Sequence, residues 1–109
     1  MSSEGRERTL AGNETVQREV NEAIERGRWP GEEERAAYRC ECAQRGCTSM
    51  LELTRAQYEE LRTHPRRFCV IPGHENPALE QVVGREPGFL LVEKRGEAGR
   101  VSEVSDPRS

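Results

Sequence analysis

Between Asn13 and Gly27 the apolar residues Val16, Val20, Ala23 and Ile24 recur at helical spacing, with Glu and Arg filling the gaps. That spacing predicts a helix, with Asn13 as N-cap and Gly27 as stop. Its apolar stripe is narrow, so the helix must dock, either on its own domain or on a partner helix or subunit. Arg28-Trp29-Pro30-Gly31 reads as a turn in which the sole Trp caps the core edge, and Glu32-Glu33-Glu34-Arg35 reads as a solvated run. Met50-Leu51-Glu52-Leu53 is a short strand. Thr54 then opens a second helix with Gln57 three residues on, a capping-box pattern, and Leu53 and Tyr58 stand at the staple positions around it. Leu61 continues the apolar face and Pro65 bounds the helix.

Phe68-Cys69-Val70-Ile71 reads as a buried strand closed by Pro72-Gly73. Ala78 to Val83 fits a helical turn or a strand equally well. Phe89-Leu90-Leu91-Val92, after Pro87-Gly88, is the strongest strand pattern in the chain. Residues 1–12 and 96–109 are polar and Gly/Ser/Glu-rich, and both are expected to be loose tails around one folded unit at 13–95. The fold class that follows is α+β, a small domain with an N-terminal helix, a second helix and a short, mostly antiparallel sheet.

Composition sharpens this. The chain has 109 residues, 34% of them charged, 33% hydrophobic and 5% aromatic. Such a chain builds a thin core, and small domains of that kind usually need a staple such as a metal. The net charge of −3 mixes both signs, which argues against a nucleic-acid cradle or a polybasic membrane patch. The start of the chain does not read as a signal peptide and no apolar run spans a bilayer, so a cytoplasmic location is expected. There thiols stay reduced, and clustered cysteines favour metal over disulfide.

The candidate chemistry lies in Cys40-Glu41-Cys42 with Cys47, and in Pro72-Gly73-His74-Glu75 downstream. Two cysteines one residue apart lie on the same side of an extended chain, so both thiolates can face one ion. Gly46 permits a positive φ, letting the chain fold back and deliver Cys47. A tetrahedral ion needs a fourth donor. His74 follows a Pro-Gly turn at a strand end and is the first choice. Cys69, inside an apolar run, reads more readily as a small hydrophobe, and His64 as an exposed residue. Three unconnected thiols, or a disulfide, are weaker readings, since cysteines this close rarely suit each other.

Thiolates plus imidazole favour zinc by softness and geometry, and the spacing matches none of the usual iron–sulfur runs. Three thiolates and a neutral imidazole give a site charge of about −1. Arg39 and Arg45 flank the cysteines and are placed to tune them or to stand in solvent. Four filled positions leave no water to activate, and no H-E-x-x-H pattern accompanies Glu75. A structural zinc, Zn2+ on Cys40, Cys42, Cys47 and His74, is therefore expected in preference to a catalytic one.

Taken together, Gln17-Arg18-Glu19-Val20-Asn21-Glu22-Ala23-Ile24, the cysteine trio, Leu53-Thr54, Tyr58-Glu59, Arg62, Pro65, Arg67-Phe68, Pro72-Gly73-His74-Glu75 and Val92-Glu93-Lys94-Arg95 resemble a family of short uncharacterised actinobacterial proteins. The resemblance spans Val16 to Arg95. It implies a shared cysteine trio and Gly-His-Glu turn with an apolar residue usual at the Cys69 position, which supports His74 as ligand and assigns no activity. The spacing of Cys40, Cys42 and Cys47 is also similar to the post-SET zinc motif of histone methyltransferases, a likeness confined to local zinc geometry. The functional expectation is a non-enzymatic zinc module that meets a protein partner or a second copy, with regulation as its role. A thiol-based redox or metal sensor is the alternative. A nucleic-acid surface at Arg62, His64, Arg66 and Arg67 is a third and weaker reading, because cations at a helix end also suit its dipole.

Overall fold

The computed structural model describes residues 3–27, 35–42, 44 and 46–108. The expected turn at Trp29, the acidic run after it and Arg45 lie outside the described residues. In chain order the elements are α1 (Ser3–Arg26), β1 (Ala36–Arg39), β2 (Met50–Leu53), α2 (Arg55–Arg62), β3 (Arg67–Val70), β4 (Glu80–Glu86), β5 (Phe89–Lys94) and α3 (Gly96–Val104). The protein is thus a small α+β fold.

β1 and β2 form an antiparallel hairpin with Tyr38 opposite Leu51 and Arg39 opposite Met50. Its connecting loop carries the cysteine trio. β5 is the centre of a second antiparallel sheet, flanked by β3 and β4. The ambiguous segment at 78–83 resolves as a turn leading into β4, whose pairing with β5 shifts register between Val82 and Gly84. A Cβ at Gly84 would stand 3.1 Å from Leu91 Cδ1, so a larger residue there would push that side chain aside by a few tenths of an ångström.

α2 begins as its capping box requires. The Thr54 side chain accepts from the Gln57 backbone at 3.1 Å, and the Gln57 side chain accepts from the Thr54 N–H at 2.8 Å. Leu53 and Tyr58, the staple pair, are both buried, and the Tyr58 ring stacks on Tyr38 at 4.6 Å between centroids. Around these rings Leu51, Leu61, Phe68, Val70, Leu90 and Val92 complete one core.

Three expectations fail, each for a physical reason. First, the N-terminal helix starts at Ser3, so the Asn13 cap and the loose tail at 1–12 do not hold over residues 3–12. Second, most of the stripe expected to dock faces outward: Val16 is 56% exposed and Val20 37%, and Ala23 is exposed too, while Ile24 alone of the four leans on the core. The inward face is Arg18, Asn21, Glu22 and Glu25. The Arg18 guanidinium lies 3.7 Å over the Phe68 ring and donates to the Arg67 carbonyl at 2.8 Å. Tyr38 donates to Glu25 at 2.6 Å.

Third, the segment from Gly96 does not fray but forms α3, which lies beside α1 and buries Ala98, Gly99 and Ser102: Ala98 packs on Leu79, and the Ser102 carbonyl accepts from Arg18 of α1. Small residues hide this face from a search for large apolar ones. A Cβ at Gly99 would collide with the Arg66 guanidinium at 2.4 Å, so the glycine makes room for an Arg66–Glu103 pair.

The elements are held together by ionic groups. Arg62 donates to Glu22 of α1 at 2.5 Å and pairs with Asp106 beyond α3, its side chain fully buried. Arg108 donates to Glu22 at 2.7 Å and to Glu59 at 2.8 Å. Beneath the sheet, the Lys94 ammonium pairs with Glu80 and sits 5.0 Å over the Phe68 ring. Burial pulls Lys94 down to about 6 and pushes Glu80 up to about 7.

Arg62→Leu takes from Glu22 and Asp106 the buried guanidinium they share. It should lower unfolding free energy by about 3–5 kcal/mol in urea titrations, the usual cost of halving a buried pair. Burial opposes the Glu22 carboxylate, but hydrogen bonds from Arg108 and Arg62 outweigh it and hold it below the usual 4.5. A depressed carboxylate contributes stability that is present above its unfolded value and lost as pH falls through its folded value. Glu22→Gln should therefore be less stable at neutral pH and show a shallower loss of stability below pH 4.5 than wild type.

Candidate metal centre

The cysteine loop leaves β1 extended. Cys40 and Cys42 are buried and Cys47 is half-buried. The Cys40 N–H donates to the Ser49 carbonyl at 2.9 Å, closing the hairpin just above the ligands. The Glu41 N–H donates to the Cys69 carbonyl at 2.8 Å, fastening the loop to β3. Gly46 takes φ +81, the left-handed turn that returns Cys47. On the far side, Gly73 takes φ +97, and the His74 N–H closes the turn onto the Ile71 carbonyl at 2.9 Å.

Through these two turns the three thiols and the imidazole meet. One ligand atom from each of Cys40, Cys42, Cys47 and His74 lies within 4.8 Å of the others. His74 Nδ1 stands 3.6 Å from both Cys40 Sγ and Cys47 Sγ. A tetrahedral ion with bonds of about 2.3 Å to sulfur and 2.0 Å to nitrogen needs ligand atoms roughly 3.5–3.8 Å apart. The cluster is thus already at the scale of one ion and can hold a metal.

Its surroundings suit thiolate. The Ile71 N–H points at Cys40 Sγ from 3.2 Å. Burial pushes Cys40 and Cys42 thiols upward, so without a cation both would hold their protons. Burial also opposes ionisation at Cys47. There the hydrogen bonds from the Ser49 backbone, Cys42 and the Ser49 hydroxyl prevail, and the thiol falls to about 7. Two thiols that resist ionisation beside one that accepts it form an arrangement a cation completes.

Glu41, between two ligands, points the other way into the protein. Its carboxylate accepts from the Cys69 N–H at 3.0 Å and from Asn21 Nδ2 at 2.8 Å. Burial pushes this carboxyl upward, against the pull of Arg18 and of these two donors. Asn21 also grips the backbone of Arg39, donating to its carbonyl at 2.9 Å and accepting from its N–H at 2.6 Å. Neither residue stood out in the sequence. A glutamate between two candidate ligands and an asparagine on a helix face are too common to flag.

The remaining candidates lie elsewhere. Cys69 is fully buried in β3 and outside the ligand group, at the core. Arg39 reaches the loop backbone, donating to the Cys47 carbonyl at 3.2 Å rather than to a sulfur. Of the basic residues near the end of α2, Arg62 is committed to Glu22 and Asp106, Arg66 to Glu103 and Arg67 to Glu93. His64 instead lines a groove of about 270 Å³ between α2 and the sheet, with Leu61, Phe89 and Leu91. No described helix is long and apolar enough to cross a membrane. No family model, curated protein or solved structure matches the chain.

Ala in place of Gly73 or Gly46 meets no atom within 4 Å, so only the backbone resists. Each substitution should cost about 1–2 kcal/mol, the strain of a left-handed L-residue, in the unfolding of metal-loaded protein.

Proposed function

We propose that Cys40, Cys42, Cys47 and His74 hold one zinc ion in a structural role. The protein then works by contact with another protein chain and not by catalysis, as a regulatory module of a reducing, cytoplasmic compartment. The observation that carries this is the convergence of four ligand atoms within 4.8 Å from two separate stretches of chain. Three sulfurs and one imidazole select zinc among the common divalent ions by softness, and a tetrahedral ion so held keeps no position for a reactive water. The trio and the Gly-His-Glu turn are the features this reading shares with the actinobacterial family.

The surface that supports contact is α1, whose Val16 and Val20 stand in solvent while Ile24 leans on the core. Either a second copy or a different protein can be met by such a stripe. Val20→Asp should abolish that association, read by sedimentation for self-association or by capture for a partner, with zinc retained. A wild-type chain that is monomeric and captures nothing would overturn this part.

Metal content of natively purified protein tests the centre. One zinc per chain is expected in wild type and in Cys69→Ala, and less than a tenth of that in His74→Ala after dialysis. Chelation should lower the thermal midpoint, because zinc held by folded ligands contributes its binding free energy to folding. Protein that is metal-free, cooperatively folded and indifferent to chelator refutes the proposal.

The half-exposed Cys47, with its lowered thiol, supports a second reading as a thiol sensor. Mild peroxide should then release zinc at doses that spare ordinary thiols, with Cys47 the first residue found oxidised by mass spectrometry. Zinc retained at doses that modify other thiols removes the sensor reading.

A further inference from the structure

We propose that metal binding and the docking of α1 are one coupled equilibrium: a filled centre holds the N-terminal helix on the domain, and loss of the ion lets the helix leave. The inference rests on the zinc reading above and adds a regulated element to it.

The physical link is Asn21. Its amide makes three hydrogen bonds, and all three land on the two residues that bracket Cys40. Nδ2 donates to the Arg39 carbonyl at 2.9 Å and to Glu41 Oε2 at 2.8 Å, while Oδ1 accepts from the Arg39 N–H at 2.6 Å. Glu41 is fixed in turn between Cys40 and Cys42, and its other oxygen takes the Cys69 N–H at 3.0 Å. Asn21 and Glu41 are both fully shielded from solvent. If the loop moves, these polar groups lose their partners inside the protein, and leaving them unpaired costs more than the bonds are worth. The clasp therefore fits only a loop held in the geometry that brings Cys40 and Cys42 to one point.

The second observation is the chemistry of the docked face. Among the residues of α1 whose side chains are described, the buried ones are Thr15, Arg18, Asn21, Glu22 and Glu25, all of them polar, with Ile24 leaning on the core beside them. An apolar face would be driven back onto the domain by water; a face of Arg, Asn and Glu is readily hydrated once it separates. Docking is also imperfect, since Arg18 Nε is buried without a hydrogen-bond partner among the described residues. The helix is held by geometry rather than by oil, so an element that disturbs the geometry controls it. Elements bound this way belong to the low-stability end of a fold, where local opening precedes global unfolding.

Coupling of this kind is reciprocal: whatever factor metal adds to docking, docking adds to metal affinity. Both directions are measurable on the full chain. The first measurement is hydrogen exchange of wild type with zinc and with a chelator. Amides of residues 15–26 should lose protection by tenfold or more on chelation, and amides of β5, whose bonds run to β3 and β4, should lose less. The second is zinc affinity by competition with a chromogenic chelator. Asn21→Ala should bind zinc about 10–100-fold more weakly, the usual effect of removing a residue that orients ligands without touching the metal. Glu19→Gln, at an exposed position of α1, should leave affinity unchanged. Unchanged zinc affinity in Asn21→Ala overturns the coupling, as does equal protection of α1 with and without metal, or simultaneous loss of protection by α1 and β5. A wild-type chain that binds no zinc in the same titration instead removes the zinc reading itself. The two failures are thus told apart.

Discussion

Cys40 lies where ties from the hairpin, the second sheet, the His74 turn and the N-terminal helix cross. Its N–H closes the β1–β2 hairpin on Ser49, its sulfur receives the Ile71 N–H beyond β3, and its Sγ faces His74 Nδ1 at 3.6 Å. The residues on either side of it are bound to α1 by Asn21. Hairpin, sheet, His74 turn and N-terminal helix therefore all meet at one short loop with little regular structure of its own. Burial favours the protonated thiols at Cys40 and Cys42, so no charge pairing joins the three thiols and the imidazole there until a cation supplies it. On the zinc reading, the ion turns the weakest junction of the fold into its strongest.

Away from that junction the protein coheres by an unusual share of charge. Arg62, Glu22, Asp106 and Arg108 join α1, α2 and the chain end, and Lys94 with Glu80 lies buried under the sheet. Replacing such groups with apolar ones of the same volume often stabilises proteins, so their presence is not a device for raw stability. Their effect is directional. Each group accepts only the partner geometry it was folded with, and a thin core of stacked Tyr38 and Tyr58, Leu61, Phe68 and Val92 leaves alternatives that a few fixed ion pairs can remove. Arg18 illustrates the trade: it seals Phe68 with its guanidinium face, yet keeps one buried nitrogen unpaired among the described residues.

Legibility in the sequence followed the kind of interaction. The β1–β2 strand at Met50–Leu53, the capping box at Thr54 and Gln57 and the strands around Phe68 and Phe89 depend on local spacing and turn chemistry, and they stand where that spacing puts them. The ligand group was legible because donor type and turn glycines are written in the chain. α1 was misjudged in orientation because helical periodicity ranks faces by hydrophobicity. Here the face that is buried is the one whose Arg18, Asn21, Glu22 and Glu25 find partners as far off as Ser102 and Arg108. α3 was missed for a related reason. Its docking surface is Ala98, Gly99 and Ser102, which fit closely because they are small and leave no apolar signal. Asn21 and Glu41 were invisible on both counts, being ordinary polar residues whose importance lies only in what they touch.

That last pair also explains how a metal centre with a half-exposed side can still define the fold. Cys47 and His74 lie toward solvent and Cys40 and Cys42 inward, so the ligand set has an inner half and an outer half. Glu41 and Asn21 brace the inner half, whereas the outer half stands on two left-handed glycine turns. On the zinc reading, Cys47 and His74 would be the first ligands to exchange, while Cys40 and Cys42 keep the loop in register. On the same reading, an ion entering or leaving by that outer face would change the loop's constraint without passing through the core, and the change would reach the opposite side, where Asn21 ties α1 to the loop by hydrogen bonds.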